Sequence, residues 1–311
     1  MRLPLPLRFL RSLSTSSVRP LAARIPVPTA ATLTPTATPT SRRKPVTVAP
    51  LTAPTTAPCA CDPSGLDIDR DTPLLGTMPR YSTHVVVSTG RNDWSSRIEF
   101  DASAAAAVLK RLLRGGDPWR PSLVTNSSLS AEASTPGEGS IHIFPAGYYI
   151  PRLPLPPSPA ALALLTDPGS AATSDIHHHH HLLLRRVRTP TILICSHHTR
   201  DARCGAYFPP LAAEFRRVLR EKAIEATVAG SSHLGGHKWA GNVVVYLPAK
   251  EEGEEAERAD GWGVWYGRVG VKEVQAIVEE TVVGGRVVDG ICRGVVGRVI
   301  EPTEAVDIAG K

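Results

Sequence analysis

No stretch of these 311 residues approaches the roughly 18 to 20 consecutive apolar residues that a membrane-spanning helix needs. The best candidate, 153–166, is interrupted by Pro154, Pro156, Pro157 and Pro159. No membrane span is expected. Acid is missing from the first 61 residues, where eight Lys and Arg precede the first carboxylate, Asp62. The net charge of +6 therefore belongs to that start, and the remainder carries −2. A folded basic face that tracks phosphates is not indicated, so no nucleic-acid partner is expected. Cysteines are few and odd in number, five, which argues against a disulfide-stapled secreted domain.

What is present begins with Met1–Arg24, which holds five arginines together with Ser and Leu. That is the composition of a mitochondrial transit peptide. Arginines at positions 8, 11 and 19 break the apolar core a secretory signal requires. The expected location is mitochondrial, in the matrix. Residues 25–58 are mostly Thr, Pro, Ala and Val and read as a disordered linker. Residues 59–150 read as a small α/β domain, 151–187 as a low-complexity linker, 188–290 as a second domain and 291–311 as a tail. His177–His181, five histidines in a row inside the second linker, have no fixed geometry to select a metal.

In the first block His84–Ser88 and Ile141–Phe144 read as strands, and 102–114 as a helix stopped by Gly115-Gly116. In the second, Thr191–Cys195 is a buried strand, and Pro209-Pro210 opens a helix with Leu211, Phe215, Val218 and Leu219 on one face. Strands over 226–229, 241–247 and 264–269 follow, then a helix from Val271 to Val282. The fold class is α/β, with the order of a thioredoxin-like domain in the C-terminal half. Acid-rich 250–260 reads as a solvated loop between strands.

Four residues carry chemistry. Cys195 ends the first strand of the second block, and Cys204 follows in Arg-Asp-Ala-Arg-Cys-Gly. His233 and His237 sit in Ser-His-Leu-Gly-Gly-His-Lys after the second strand, with Gly235 and Gly236 permitting a tight turn between them. Two thiolates and two imidazoles suffice to close a metal site. The spacing is not the short C-x-x-C of a zinc finger. Buried packing is the alternative for each cysteine taken alone.

The segments Cys195-Ser196-His197, 200–205, 233–238, Ala240-Gly241-Asn242 and 265–269 resemble the fungal sucrase/ferredoxin-like family, most closely its mitochondrial "altered inheritance of mitochondria" branch. Gly65-Leu66-Asp67-Ile68, Ser88-Thr89-Gly90 and Asp93-Trp94 are similar to it as well. Trp239 departs from the Phe or Tyr more usual there. The resemblance implies a 2Fe–2S cluster in a thioredoxin-like ferredoxin domain, with Cys195, Cys204, His233 and His237 as ligands. The "sucrase" label implies nothing usable, since no pair of carboxylates stands out as a glycosidase acid and nucleophile.

Two neutral imidazoles in place of thiolates would lift the potential above the about −400 mV of plant-type ferredoxins. Arg203 and Lys238, each beside a ligand, are candidates to bias it. His197 and His198 are supporting candidates, Cys59-Ala60-Cys61 reads either as a redox-active thiol pair or as a solvated junction, and Cys292 as structural or incidental. The expected function is electron transfer or thiol redox control with an unknown redox partner protein and no organic small-molecule substrate. There are two rival readings. A structural zinc-binding interaction module needs the same four ligands. A thiol–disulfide oxidoreductase is disfavoured because the first strand–helix turn lacks C-x-x-C.

Overall fold

β-Branched runs build the strands. In chain order these are β1 Pro45–Val46, β2 Val48–Ala49, β3 Thr83–Ser88, β4 Ser122–Ser127, β5 Glu138–Phe144, β6 Tyr148–Pro154 and β7 Arg185–Arg186. They continue with β8 Thr191–Cys195, β9 Thr227–Ser231, β10 Val243–Leu247, β11 Trp262–Tyr266, β12 Val287–Val288, β13 Cys292–Val296 and β14 Val299–Ile300. The helices are α1 Ala104–Leu113, α2 Pro159–Thr166, α3 Ala202–Glu221 and α4, a helical run over 271–283 that ends as a π-helix from Ile277 to Val283. This computed structural model describes residues 45–51, 63, 65–101, 104–133, 135–168, 183–248 and 261–300. The transit-peptide segment, Cys59, Cys61, His177–His181, the acid-rich 250–260 and residues 301–311 lie outside them.

Ten strands form one sheet in the order β13-β11-β10-β8-β9-β4-β3-β5-β6-β7. In the C-terminal half β8 and β9 are parallel, joined through α3, while β10 runs antiparallel to both β8 and β11. Order 4-3-1-2 with the third strand reversed is thioredoxin-like. The N-terminal half repeats it strand for strand: β3 and β4 are parallel through α1, and β5 is antiparallel to β3 and β6. Even the edges correspond, β7 beside β6 and β13 beside β11. The halves join where Ser127 of β4 pairs antiparallel with Ser231 of β9. The chain is an internal structural duplication.

Alternation along each strand divides the core in three. Ile192, Ile194, Val243 and Val245 face α3 and α4. Val85, Val87, Ile141 and Ile143 face α1 and α2. The opposite faces, with Val86, Phe144, Leu193, Cys195, Val244, Tyr246 and Trp265, pack against one another. The one sheet folds back on itself at the β4–β9 seam, so the layers run helix, half-sheet, half-sheet, helix. His84 is fully buried in this middle layer, between the Tyr246 hydroxyl at 2.7 Å and Thr125 Oγ1 at 2.8 Å.

Several boundaries differ from the sequence reading. The helix expected to open at Pro209-Pro210 starts at Ala202 and carries both prolines inside it. Asp201 caps it, its side chain accepting the Arg203 N–H at 3.0 Å, and burial of Cys204, Tyr207, Leu211 and Phe215 along the helix offsets the backbone donors the prolines lack. The proline-rich stretch after 151 contains the end of β6 and all of α2, capped by Ser158 with Pro159 in the first turn, where its missing N–H costs nothing. Part of the 25–58 linker is ordered too, since Val46 and Ala49 are buried and β1 and β2 pair with β14 and β12. The tail assigned to 291–311 opens with β13, an edge strand of the main sheet.

Candidate metal centre

The C-terminal ends of β8 and β9 and the start of α3 bring Cys195, Cys204, His233 and His237 to one end of the second half. Cys195 is the last residue of β8, and Cys204 lies in the first turn of α3, its N–H bonded to the Asp201 carbonyl at 3.1 Å. His233 follows β9. His237 opens a single 3₁₀ turn, 237–239, after Gly236 in the left-handed region at φ +68°. A Cβ on Gly236 would strike the Trp239 ring, so that turn requires glycine.

Both thiols are free and almost fully buried, at 2% and 1% exposure. The Cys204 thiol hydrogen-bonds the Cys195 sulfur and pulls the Cys195 pKa well down; burial opposes this, and the His233 imidazole and the Leu234 N–H reinforce it. Cys204 keeps its proton, its pKa pushed far up by the Cys195 sulfur and by burial. The imidazoles form the outer edge. Their ring centroids are 5.3 Å apart, and the His237 side chain is 43% exposed.

Nδ1 of His233 and Nδ1 of His237 are both buried without a hydrogen-bond partner, as is Trp239 Nε1 on the same turn. An unsatisfied buried polar atom costs about 1–3 kcal/mol, so two on adjacent histidines point to a missing ligand. The other ring nitrogen of His237 lies 3.8 Å from Asp201 Oδ2. That carboxylate is held below its ordinary range chiefly by its Arg203 hydrogen bonds. Among the described residues, no three His, Cys, Asp or Glu side chains converge on a single metal-sized point. The four candidates form a sulfur pair and an imidazole pair, and a binuclear cluster with two ligands on each iron takes its donors in that way.

The structure gives the neighbouring residues definite tasks. His197 is buried; its Nδ1 accepts the His233 N–H at 3.2 Å, so its Nε2 donates to Trp94 O at 3.1 Å and Ser95 O at 3.0 Å. It braces the His233 backbone against the loop after β3. Asp93 of that loop accepts from the Thr199 hydroxyl at 2.6 Å, which accounts for the Asp93-Trp94 motif. His198 is exposed and packs at Gly205, where a Cβ would collide with it. Arg203 is held by Asp201, and Lys238 by Asp69 at 2.8 Å. Cys292 is buried on β13, its pKa pushed up to about 11 by burial.

Sequence reasoning missed Arg293. This β13 residue is 1% exposed and runs beneath the histidine loop. It donates to Gly235 O at 3.0 Å, Asn242 Oδ1 at 2.7 Å and Thr77 O at 2.8 Å, and its guanidinium lies 5.1 Å from the Trp239 ring centroid. Burial lowers its pKa to about 10, while the Cys195 charge acts to raise it. Nothing in the sequence singles it out, since Arg286 and Arg298 lie in the same Gly/Val-rich segment.

A family model described as sucrase/ferredoxin-like matches residues 74–294. Similar curated proteins are named "Altered inheritance of mitochondria protein 32". The one from Debaryomyces hansenii is 39% identical over 103 residues, 33% of this chain and 34% of that protein. Those from Clavispora lusitaniae and Saccharomyces cerevisiae (strain YJM789) are 42% and 35% identical over 103 residues, 33% of this chain and 34% and 31% of theirs. The chain thus spans about a third of the length of the curated relatives it matches. Among solved structures, a thioredoxin-like [2Fe–2S] ferredoxin from Aquifex aeolicus is 16% identical, covering 35% of this chain and 93% of its own at a TM-score of 0.25.

Proposed function

The chain belongs to the sucrase/ferredoxin-like family, and on that premise we propose that it is a one-electron redox protein. In this reading it holds a 2Fe–2S cluster, with Cys195 and Cys204 on one iron and His233 and His237 on the other. The observation that carries the reading is the pair of buried, unpartnered Nδ1 atoms beside two buried free thiols. Such a cluster accepts and returns electrons singly.

The chain's own residues set the terms. Cys195 is already biased towards thiolate, the form a metal takes. Asp201 stands off the outer nitrogen of His237 and favours ligation through Nδ1. Arg293 supplies a fixed positive charge on the buried side, so the state carrying the extra electron is stabilised. The exposed histidine edge is the side an electron-transfer partner protein can reach. We also assign the protein to mitochondria, supported by the names of its relatives and the acid-free, arginine-bearing start.

Electron paramagnetic resonance of the dithionite-reduced protein tests the cluster. A rhombic S = ½ signal that disappears in Cys195→Ser and changes its g-values in His237→Cys is expected. A silent spectrum from a colourless, zinc-loaded protein would favour the zinc module instead. For location, a fluorescent fusion lacking residues 1–24 should remain in the cytosol; mitochondrial enrichment without them would refute the targeting assignment.

A further inference from the structure

A cleft of about 890 Å³ opens beside the histidine edge, between α1 and the seam where the two halves join. His233 lines its inner end, with His197 and Ser232. Its outer wall is cationic. Arg97, Arg111, Arg114 and Arg200 line it and are all exposed. Lys110 lines it too, but is taken up by Glu99 at 2.8 Å, the one carboxylate on the wall among the described residues. Phe100 stands in the same wall with 74% of its surface in water.

We infer that this cleft is the docking site for a carboxylate-rich segment of the protein that exchanges electrons with the chain. The electron-exchange part rests on the function proposed above; the docking part does not. Three observations select the occupant. The positive wall is local, because the chain from Asp62 onwards carries −2 overall; a confined patch of this kind steers an acidic partner surface without a general affinity for polyanions. An exposed aromatic side chain, Phe100, set among arginines matches the composition of protein–protein interface centres. A small-molecule pocket instead fixes its ligand with a few enclosed polar groups, whereas these guanidiniums sit on an open rim. A segment seated here would lie against His233, on the exposed edge of the candidate centre.

The test uses the full chain as purified, with iron measured on the same sample so that the cluster and docking readings are scored separately. The probe is a fluorescein-labelled dodecapeptide of eleven glutamates and one phenylalanine, followed by fluorescence anisotropy at 20 and 200 mM NaCl. Binding should weaken at least tenfold in Arg111→Glu/Arg114→Glu. It should change less than threefold in Arg111→Lys/Arg114→Lys and in the control Arg152→Glu, an exposed cation on β6. Phe100→Ala should weaken binding several-fold without altering the salt dependence. Equal weakening by Arg152→Glu would overturn the inference, as would tighter binding of a twelve-nucleotide poly-U RNA or displacement by equimolar citrate.

Discussion

Nη1 of Arg293 donates to Oδ1 of Asn242 over 2.7 Å, and Asn242 in turn donates its Nδ2 to the Gly236 carbonyl at 3.0 Å. A buried cation is thereby fastened to the turn that carries His233 and His237. No carboxylate pairs with this guanidinium among the described residues; its acceptors are carbonyls, a side-chain amide oxygen and the Thr77 hydroxyl. A charge so placed is costly unless an anion lies near it. The Cys195 thiolate is the nearest candidate on this side of the site.

Replacing Arg293 by glutamine should therefore make reduction harder. The expected fall in midpoint potential is about 60 to 120 mV, one to two decades in the equilibrium at about 59 mV per decade for one electron. Arg293→Lys should recover a large part of it. Redox titration of both variants checks this, and an unchanged potential in the glutamine variant would remove Arg293 from the account.

The four candidate ligands were legible because their types and spacing are unusual, and β3, α1, β8, β10 and α4 because their apolar periods are clean. Other features were hidden for identifiable reasons. The duplication leaves no sequence trace at the site, since Ser88 ends β3 where Cys195 ends β8. β4 was concealed because it carries Ser122, Thr125, Asn126 and Ser127, polar residues of which the last three are nonetheless buried at the seam; Asn126 O accepts the Ser232 N–H there at 2.8 Å. Prolines 209 and 210 pointed to a helix start that Asp201 had already provided seven residues earlier. Arg293 was unreadable because its partners come from three distant segments, at Thr77, Gly235 and Asn242.

Glycine substitutions should separate space from backbone strain. At Gly241, φ is +86° and a Cβ would collide with the backbone of Val269, so Gly241→Ala should cost about 3 kcal/mol or more and loosen the loop after His237. At Gly90, φ is +68° but nothing lies within 4 Å, so Gly90→Ala should cost only about 1–2 kcal/mol. Urea unfolding of the two variants gives the comparison. Equal losses would show that the Gly241–Val269 contact is not as close as described.

Acid should weaken the middle layer. Burial lowers the pKa of His84 to about 3 and that of His142 to about 4, against an ordinary value near 6.5. Both are neutral in the fold, while the unfolded chain binds their protons from about pH 6.5 downwards. Their stabilisation is therefore fully present above that pH and is lost as pH falls towards the folded values. From pH 7 to pH 5 the two together should remove about 4 kcal/mol. Chemical denaturation at the two pH values measures the loss, and His142→Gln should roughly halve it. A stability that does not decline over this range would contradict the burial of these rings.

The central claim is that Cys195, Cys204, His233 and His237 hold two irons and two sulfides. Iron, zinc and acid-labile sulfide, measured on the full chain purified anaerobically from iron-replete cells, test it most directly. The account predicts two irons and two labile sulfides per chain, with both lost in Cys195→Ser and Cys204→Ser. One zinc per chain without sulfide, or an undiminished cluster in both serine variants, would contradict it.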